Sequence, residues 1–374
     1  MSSSRASSTD ARAGAVLGGR LVSARDDPAP RVLRFERMSS RSQGVAEPAY
    51  PPFQIDPRDV RTERVVCPIC RADSPRSYRP RMYSVAGVPF DLVRCPCGMV
   101  YVNPRPDGPT LGRMYSDPAY YTEGYNLGVE TENYFDRKDE LVRQYEGTAR
   151  ALAAELGRTG ELLELGSAGG FFLEGARRAG FRVRGVELSA PATAYARKEL
   201  GLEIFEGWLA DAPWKDATFD VAYADNVLEH TTDPLGTLAK LRALLKPGGH
   251  LVVIVPSYVN SAWFRALLLA QRVLPRKLLG EQLVRILKLD PEKDSGHPYH
   301  ILEFDRRALT RLAREAGFEV VAVEGSVPFP AHLFKVERPD LKTRLLRGVF
   351  RAFDFGMRMR VLPAARLRFV LRRP

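Results

Sequence analysis

Three groups of residues in this 374-residue chain have types and spacings that can do chemistry. The first is its four cysteines, all confined to Cys67-Pro-Ile-Cys70 and Cys95-Pro-Cys97-Gly98. Two close pairs on separate turns can set four thiolates around one tetrahedral zinc. Four sulfur ligands leave no place for water, so that zinc would be structural. The second pair is one residue shorter than the usual Cys-x2-Cys and needs a tighter turn; a set of reduced packing cysteines is the alternative. The second group is the stretch ELLELGSAGG at 161–170, an apolar run entering Gly166, Ala168, Gly169 and Gly170 just before helical periodicity begins at Phe171. Small residues let a ligand approach the backbone, and a helix start offers free N–H groups. Glu187 follows 21 residues after Gly166, where a carboxylate can accept both ribose hydroxyls of an adenosine-containing cofactor. The third group is histidine. His230 closes Leu228-Glu229-His230, while His297 and His300 flank Tyr299 in GHPYHILEF. Imidazoles titrate near neutral pH and are the commonest general bases. His250 and His332 fall at strand starts and read as structural.

These groups need elements to hold them. Short apolar runs at 161–165, 182–187, 219–224 and 251–255, with a shorter one at 203–205, alternate with helical periodicity at 171–179, 190–200 and 234–245. That alternation predicts βαβ units: an α/β fold, Rossmann-like and doubly wound, on a mostly parallel sheet. A helix at 306–316 and late strands at 318–325 and 332–337 complete seven strands, the last as an antiparallel edge strand. Helical spacing from Tyr134 to Leu156 predicts a further helix before the first of them.

Taken together, ELGSAGG, GVELS (185–189), DATFDVAYADNVLEH (216–230), LKPGGHLVVIVPS (245–257) and REAGFEVV (314–321) occur in an order that resembles the class I S-adenosylmethionine-dependent methyltransferases, across 161–337. Ala168 stands where that family usually has glycine. The resemblance implies that Glu164 and Gly166 to Gly170 surround the methionine part of S-adenosylmethionine, Glu187 takes the ribose and Leu188 flanks the adenine. It further implies that Trp208 and Leu209 cover or hydrogen-bond the adenine ring, with ordinary packing an equal alternative for Trp208. Asp225 and Asn226 would lie beside the sulfonium. His230, His297, His300 and Tyr299 are the candidate catalytic groups, with capping or packing the alternative for His230. The cysteine block resembles the small zinc-binding module that precedes the methyltransferase domain in sugar- and natural-product-type enzymes.

The expected organisation is a disordered segment at 1–60, a zinc module at 61–112 and a helical, tyrosine-rich lid at 113–158. A methyltransferase domain at 159–337 follows, with a substrate-side insertion at 262–300, and a basic amphipathic tail at 338–374 ends the chain. The net charge of +11 is concentrated: the last 37 residues hold 11 basic and two acidic side chains, and 262–289 holds six and one. The middle of the chain is mildly acidic, which disfavours nucleic acid as partner. An anionic membrane surface suits the tail better, with a solvated charged face over a packed helix as the alternative. No apolar run approaches the ~20 residues of a membrane span, and few cysteines point to a reducing, cytoplasmic setting with peripheral contact to the inner membrane surface. The expected activity is methylation of a small-molecule acceptor (a sugar, lipid-linked saccharide or secondary metabolite), on oxygen before carbon. An RNA methyltransferase and a non-catalytic adaptor are the alternatives, and no oligomeric state is implied.

Overall fold

The computed structural model describes residues 55–85, 87–116, 134–273, 300–327 and 339–374. In chain order these form β1 (Thr62–Glu63), β2 (Arg76–Val85), β3 (Val88–Arg94), β4 (Val100–Val102), β5 (Arg105–Pro106), α1 (Gly108–Ser116) and α2 (Lys138–Leu156). Then follow β6 (Glu161–Leu165), α3 (Phe171–Arg178), β7 (Arg182–Glu187), α4 (Ala190–Leu200), β8 (Ile204–Glu206), β9 (Phe219–Asp225), α5 (Pro234–Leu244) and β10 (Leu245–Pro256). The chain ends with α6 (Ala262–Val273), β11 (Leu302–Glu303), α7 (Arg306–Glu315), β12 (Glu319–Ser326), α8 (Leu341–Arg358) and β13 (Arg366–Arg372).

The main sheet has seven strands in the order β12-β13-β10-β9-β6-β7-β8. β8, β7, β6, β9 and β10 pair in parallel, and β13 runs antiparallel to both its neighbours. β9 and the end of β10 are near-continuous apolar runs because helices cover both faces of a parallel sheet. Local chemistry sets the helix ends. Ser189, Asp233, Asp305 and Asp340 cap the first turns of α4, α5, α7 and α8, and left-handed Gly157 and Gly201 close α2 and α4.

A second sheet, β11-β4-β3-β2, carries the cysteine block. Its outer strand β11 comes from more than 200 residues later in sequence, with Leu302 opposite Tyr101 and Glu303 opposite Val100. One continuous apolar core runs from Cys67, Tyr83 and Tyr101 through Leu163 and Phe219 to Val253. The cysteine block is therefore fused to the main body.

Three expected boundaries move. Residues 55–60, assigned to the disordered segment, contain a 3-10 turn at Pro57–Asp59 capped by Asp56, with Ile55 and Val60 against the core; the rest of that segment lies outside the described residues. α2, assigned to the lid, packs on α3 so tightly that a Cβ on Gly175 would lie 2.5 Å from the Glu146 backbone nitrogen. The basic tail is not an appendage. Its last part is β13, inserted between β10 and β12, with Leu367, Phe369, Val370 and Leu371 buried. The alternation of Arg366, Arg368 and Arg372 with these apolar residues is a strand period inside a basic segment. The reversed strand is thus internal and comes from 366–372; the strand expected at 332–337 lies outside the described residues, as do most of the tyrosine-rich stretch and the insertion beyond Val273.

Candidate functional site

Strand order reverses at β6, which has β7 on one side and β9 on the other. In open α/β sheets the crevice beyond the carboxyl ends of such strands is where ligands bind. The residues expected to hold the cofactor lie at or just beyond the carboxyl ends of parallel strands: Glu164 near the end of β6 and Gly166 to Gly170 after it, Glu187 and Leu188 at β7, Trp208 and Leu209 after β8, Asp225 and Asn226 at β9.

The glycine turn is tight by necessity. Gly166 has φ +71°, and a Cβ there would come 2.5 Å from Val227 Cγ2. Gly170 has φ +79° and a Cβ there would meet Leu202 at the same distance. Ala168 also stands in the left-handed region, at φ 47°, which explains why glycine is the usual residue at this position. Tyr134 and Phe135 press ring edges onto Gly169, each 3.1 Å from where a Cβ would be. Glu187 fastens the turn: Oε2 accepts from Ala168 N–H (2.7 Å), and Oε1 accepts from Leu188 and Ser189 N–H (2.8 and 2.9 Å). Glu164 is buried beneath, and its Oε2 has no partner among the described residues. Burial holds its carboxyl well above the ordinary carboxylate range, and the charges of Asp225 and Glu187 add to that.

Two expected residues differ from simple packing or simple contact. Trp208 is 49% exposed, so it is not a core residue, while Leu209 beside it is buried. Asp225 is already engaged: Arg366 Nη2 donates to both its oxygens (2.9 and 3.0 Å) and Asn226 Nδ2 donates to Oδ1 (3.0 Å). Arg366 begins β13, so the end of the chain completes this wall.

The residues fit S-adenosylmethionine. A tight small-residue turn that opens a helix at the end of β6, the acid Glu187 at the end of the next strand, and a buried Glu164 Oε2 without a partner among the described residues suit a cationic adenosyl ligand.

Val227, whose side chain fills the space against Gly166, leads into a 3-10 turn at Leu228–His230. Here the structure gathers a second constellation. Glu229 is fully buried and neither carboxylate oxygen accepts a hydrogen bond among the described residues. His230 Nε2 and His300 Nε2 approach its Oε1 at 3.7 and 3.9 Å, and the two imidazole rings cross edge to face with centroids 5.0 Å apart. His300 Nδ1 lies 3.8 Å from Glu303 Oε1, which accepts a short hydrogen bond from the Tyr83 hydroxyl of β2. Burial, then the charges of Asp225 and Glu303, hold Glu229 well above the ordinary carboxylate range. The backbone locks the set, because Ile301 N–H donates to Glu229 O (3.1 Å) and Val102 N–H donates to Ile301 O (2.9 Å).

Of the candidate catalytic groups, His230 and His300 are brought together, and His297 and Tyr299 lie outside the described residues. Glu229, Glu303, Tyr83 and Arg366 were not singled out in the sequence. Glu229 and Glu303 carry a faint signal, each being an acid inside an apolar stretch. Tyr83 and Arg366 carry none, since only the fold brings them near.

The four cysteines converge. Their sulfurs lie within 4.8 Å of one another, Cys67 to Cys97 at 3.6 Å and Cys70 to Cys95 at 3.3 Å. Four sulfurs at 2.3 Å from one tetrahedral zinc would be about 3.8 Å apart, so the donor set fits that ion. Two left-handed residues, Arg71 at φ 60° and Gly98 at φ 97°, close the turns that carry the cysteines, and backbone N–H groups of Ile69 and Cys70 face the Cys67 sulfur.

Comparison with known proteins identifies the family. The family described as "Methyltransferase domain" matches residues 136–323, half of the chain. A probable S-adenosylmethionine-dependent methyltransferase of Mycolicibacterium smegmatis is 27% identical over 195 residues, 52% of this chain and 62% of its own length. A ubiquinone biosynthesis O-methyltransferase of Aromatoleum aromaticum is 33% identical over 175 residues, 44% of this chain and 66% of its own length. The chain therefore spans less than two thirds of either relative. Among solved structures, an S-adenosylmethionine-dependent methyltransferase from Mesorhizobium loti is 20% identical and aligns with 61% of this chain and 100% of its own, with a TM-score of 0.39. With its Rossmann-like sheet, glycine turn and spaced acid, and with half its length matched, this chain belongs to the methyltransferase-domain family.

Proposed function

We propose that the chain transfers a methyl group from S-adenosylmethionine to a hydroxyl of a small acceptor, such as a sugar, a lipid-linked saccharide or a secondary metabolite, with an acidic carbon the next best acceptor. The observation that carries this reading is the Glu229, His230 and His300 constellation, joined through Val227 to the glycine turn. The name of the Aromatoleum relative, an O-methyltransferase, supports oxygen. When bound, the cofactor supplies an electrophilic methyl group on a sulfonium, and Gly166 to Gly170, Glu164, Glu187 and Trp208 are the residues that would hold it.

The chain's own groups align the acceptor and take its proton. His300 is the base. Its side chain is 34% exposed against 15% for His230, so an acceptor reaches it first. A proton taken at His300 Nε2 sits opposite Glu229, with Glu303 at Nδ1, so the imidazolium is held between two carboxyl groups. His230 closes the far side, edge on. The four cysteines would hold a structural zinc, and their sheet, through β11 and Tyr83, holds the 300–303 segment in place.

Purified protein supplied with radiolabelled S-adenosylmethionine and a panel of phenolic and sugar hydroxyls tests the reading. His300→Asn is expected to lower turnover by about 10²–10⁴-fold while cofactor affinity stays within about threefold. Equal loss of turnover and cofactor binding would remove the base from His300, and label found only on carbon would replace the acceptor atom.

A further inference from the structure

The structure assigns a docking surface for an anionic phospholipid bilayer to the outer face of α8; this stands independently of the methyl-transfer reading. Sequence spacing alone suggested one apolar face on this helix and one basic face. The structure divides its apolar residues between two opposite faces. Phe350 and Met357 are buried, and Phe350 and Phe353 pack on Trp263 of α6 at ring distances of 4.5 and 5.2 Å, so that face is the one joined to the body. Leu341, Leu345, Val349, Ala352, Phe355 and Met359 fall within about 120° of the helix circumference on the other side. They are open to solvent: Leu341 is 74% exposed, Leu345 64%, Phe355 67% and Met359 60%. Four turns of large apolar side chains on the outside of a well-packed helix serve no folding purpose, because burial of the opposite face already anchors it.

The flanks of this stripe say what it faces. Arg344, Arg347, Arg351 and Arg358 fall along one edge of it. The helix has a single carboxylate, Asp354, and it is buried, pairing with Arg358 and accepting from Val327 N–H. An apolar stripe bordered by a row of arginines, with its one acidic neighbour, Asp340, committed to capping the first turn, is the pattern of a helix lying in a membrane interface: the apolar side chains enter the acyl boundary while the guanidinium groups reach up to headgroup phosphates. A row of guanidinium groups beside the stripe suits headgroup phosphates rather than a neutral protein groove, and a second copy would set these cations against each other. No helix among the described residues is long and apolar enough to cross a membrane, so contact through α8 is peripheral.

The test uses the full chain. Sedimentation with phosphatidylcholine vesicles, with and without phosphatidylglycerol, is expected to pellet the protein with the anionic vesicles and much less with neutral ones, and raised salt should weaken the binding. Leu345→Glu/Phe355→Glu is expected to weaken binding by about tenfold or more. Arg344→Gln/Arg351→Gln should weaken it several-fold with loss of salt sensitivity. Leu341→Glu, at the first turn of α8 where the fold tolerates a charge, keeps the test valid if the double variant fails to fold. Equal pelleting of variant and wild type overturns the assignment. So does absence of vesicle binding with a wild-type oligomer that Leu341→Glu dissociates, which would make the stripe a contact between copies.

Discussion

The two sides of the crevice are built in opposite ways. On the side proposed for the cofactor, residues 164–170 and 187–189 come from one βαβ unit, and Glu187 ties turn to strand through three backbone hydrogen bonds. On the side proposed for the acceptor, Tyr83, Glu229, His230, His300 and Glu303 come from three distant stretches, and the central carboxylate accepts no hydrogen bond among the described residues. The glycine turn and its acid are tied together within one βαβ unit. The second side depends on the cysteine-bearing sheet holding β11 against the turn after β9. A shared cofactor needs a turn that any such unit can make, whereas an acceptor site must be assembled for its own ligand.

Loss of the cysteine cluster is expected to break this contrast most strongly. Protein purified without chelator should contain one zinc per chain, and Cys95→Ser should abolish it. Because a structural zinc is worth several kcal/mol to the sheet around it, melting should become broader and earlier. Acceptor methylation should fall by about 10–100-fold, through displacement of the 300–303 segment, while cofactor binding stays near wild type. Full methylation by metal-free protein would show that the acceptor side stands without its support.

A smaller effect sharpens the cofactor side. Glu164 is protonated more readily in the free protein than an ordinary carboxyl, because it is buried near Asp225 and Glu187. A cationic ligand beside it favours the ionised form, so binding releases a proton. Affinity should therefore be weakest at acid pH, tighten by up to about tenfold per pH unit above the pKa of the complex, and level off above that of the free protein. Glu164→Gln should bind more weakly and with a flat profile, as read by calorimetry in buffers of different ionisation enthalpy. A sloping profile in the variant would assign the proton to another group.

The smallest expected effect lies at Ala168. Its left-handed backbone favours glycine, so Ala168→Gly should raise stability by up to about 1 kcal/mol, after the entropy that glycine adds to the unfolded chain. Chemical denaturation measures it, and a loss of stability would mean that the Ala168 methyl group contributes more by packing than its backbone strain removes.

The same division explains what could be read in advance. β6 and β7 lie where their apolar runs end, and α3, α4, α5 and α7 where caps and periodicity set them, because these signals act within a few residues. The strand at 366–372 is hidden inside a basic segment by its alternating arginines: its apolar period is legible, but its insertion between β10 and β12 is a choice of partner, not of conformation. For α8, spacing gave the helix but not which of its two apolar faces the body would cover.

By itself the sequence determined the βαβ order, the glycine turn with its acid at Glu187, and the pairing of the cysteines, since each depends on residue types at short, regular separations. Only the tertiary structure decided that Arg366 closes over Asp225, that Tyr83 and Glu303 stand behind His300, and that one face of α8 is left to solvent. Contacts across more than a hundred residues depend on how packed layers exclude one another, and no local pattern records that.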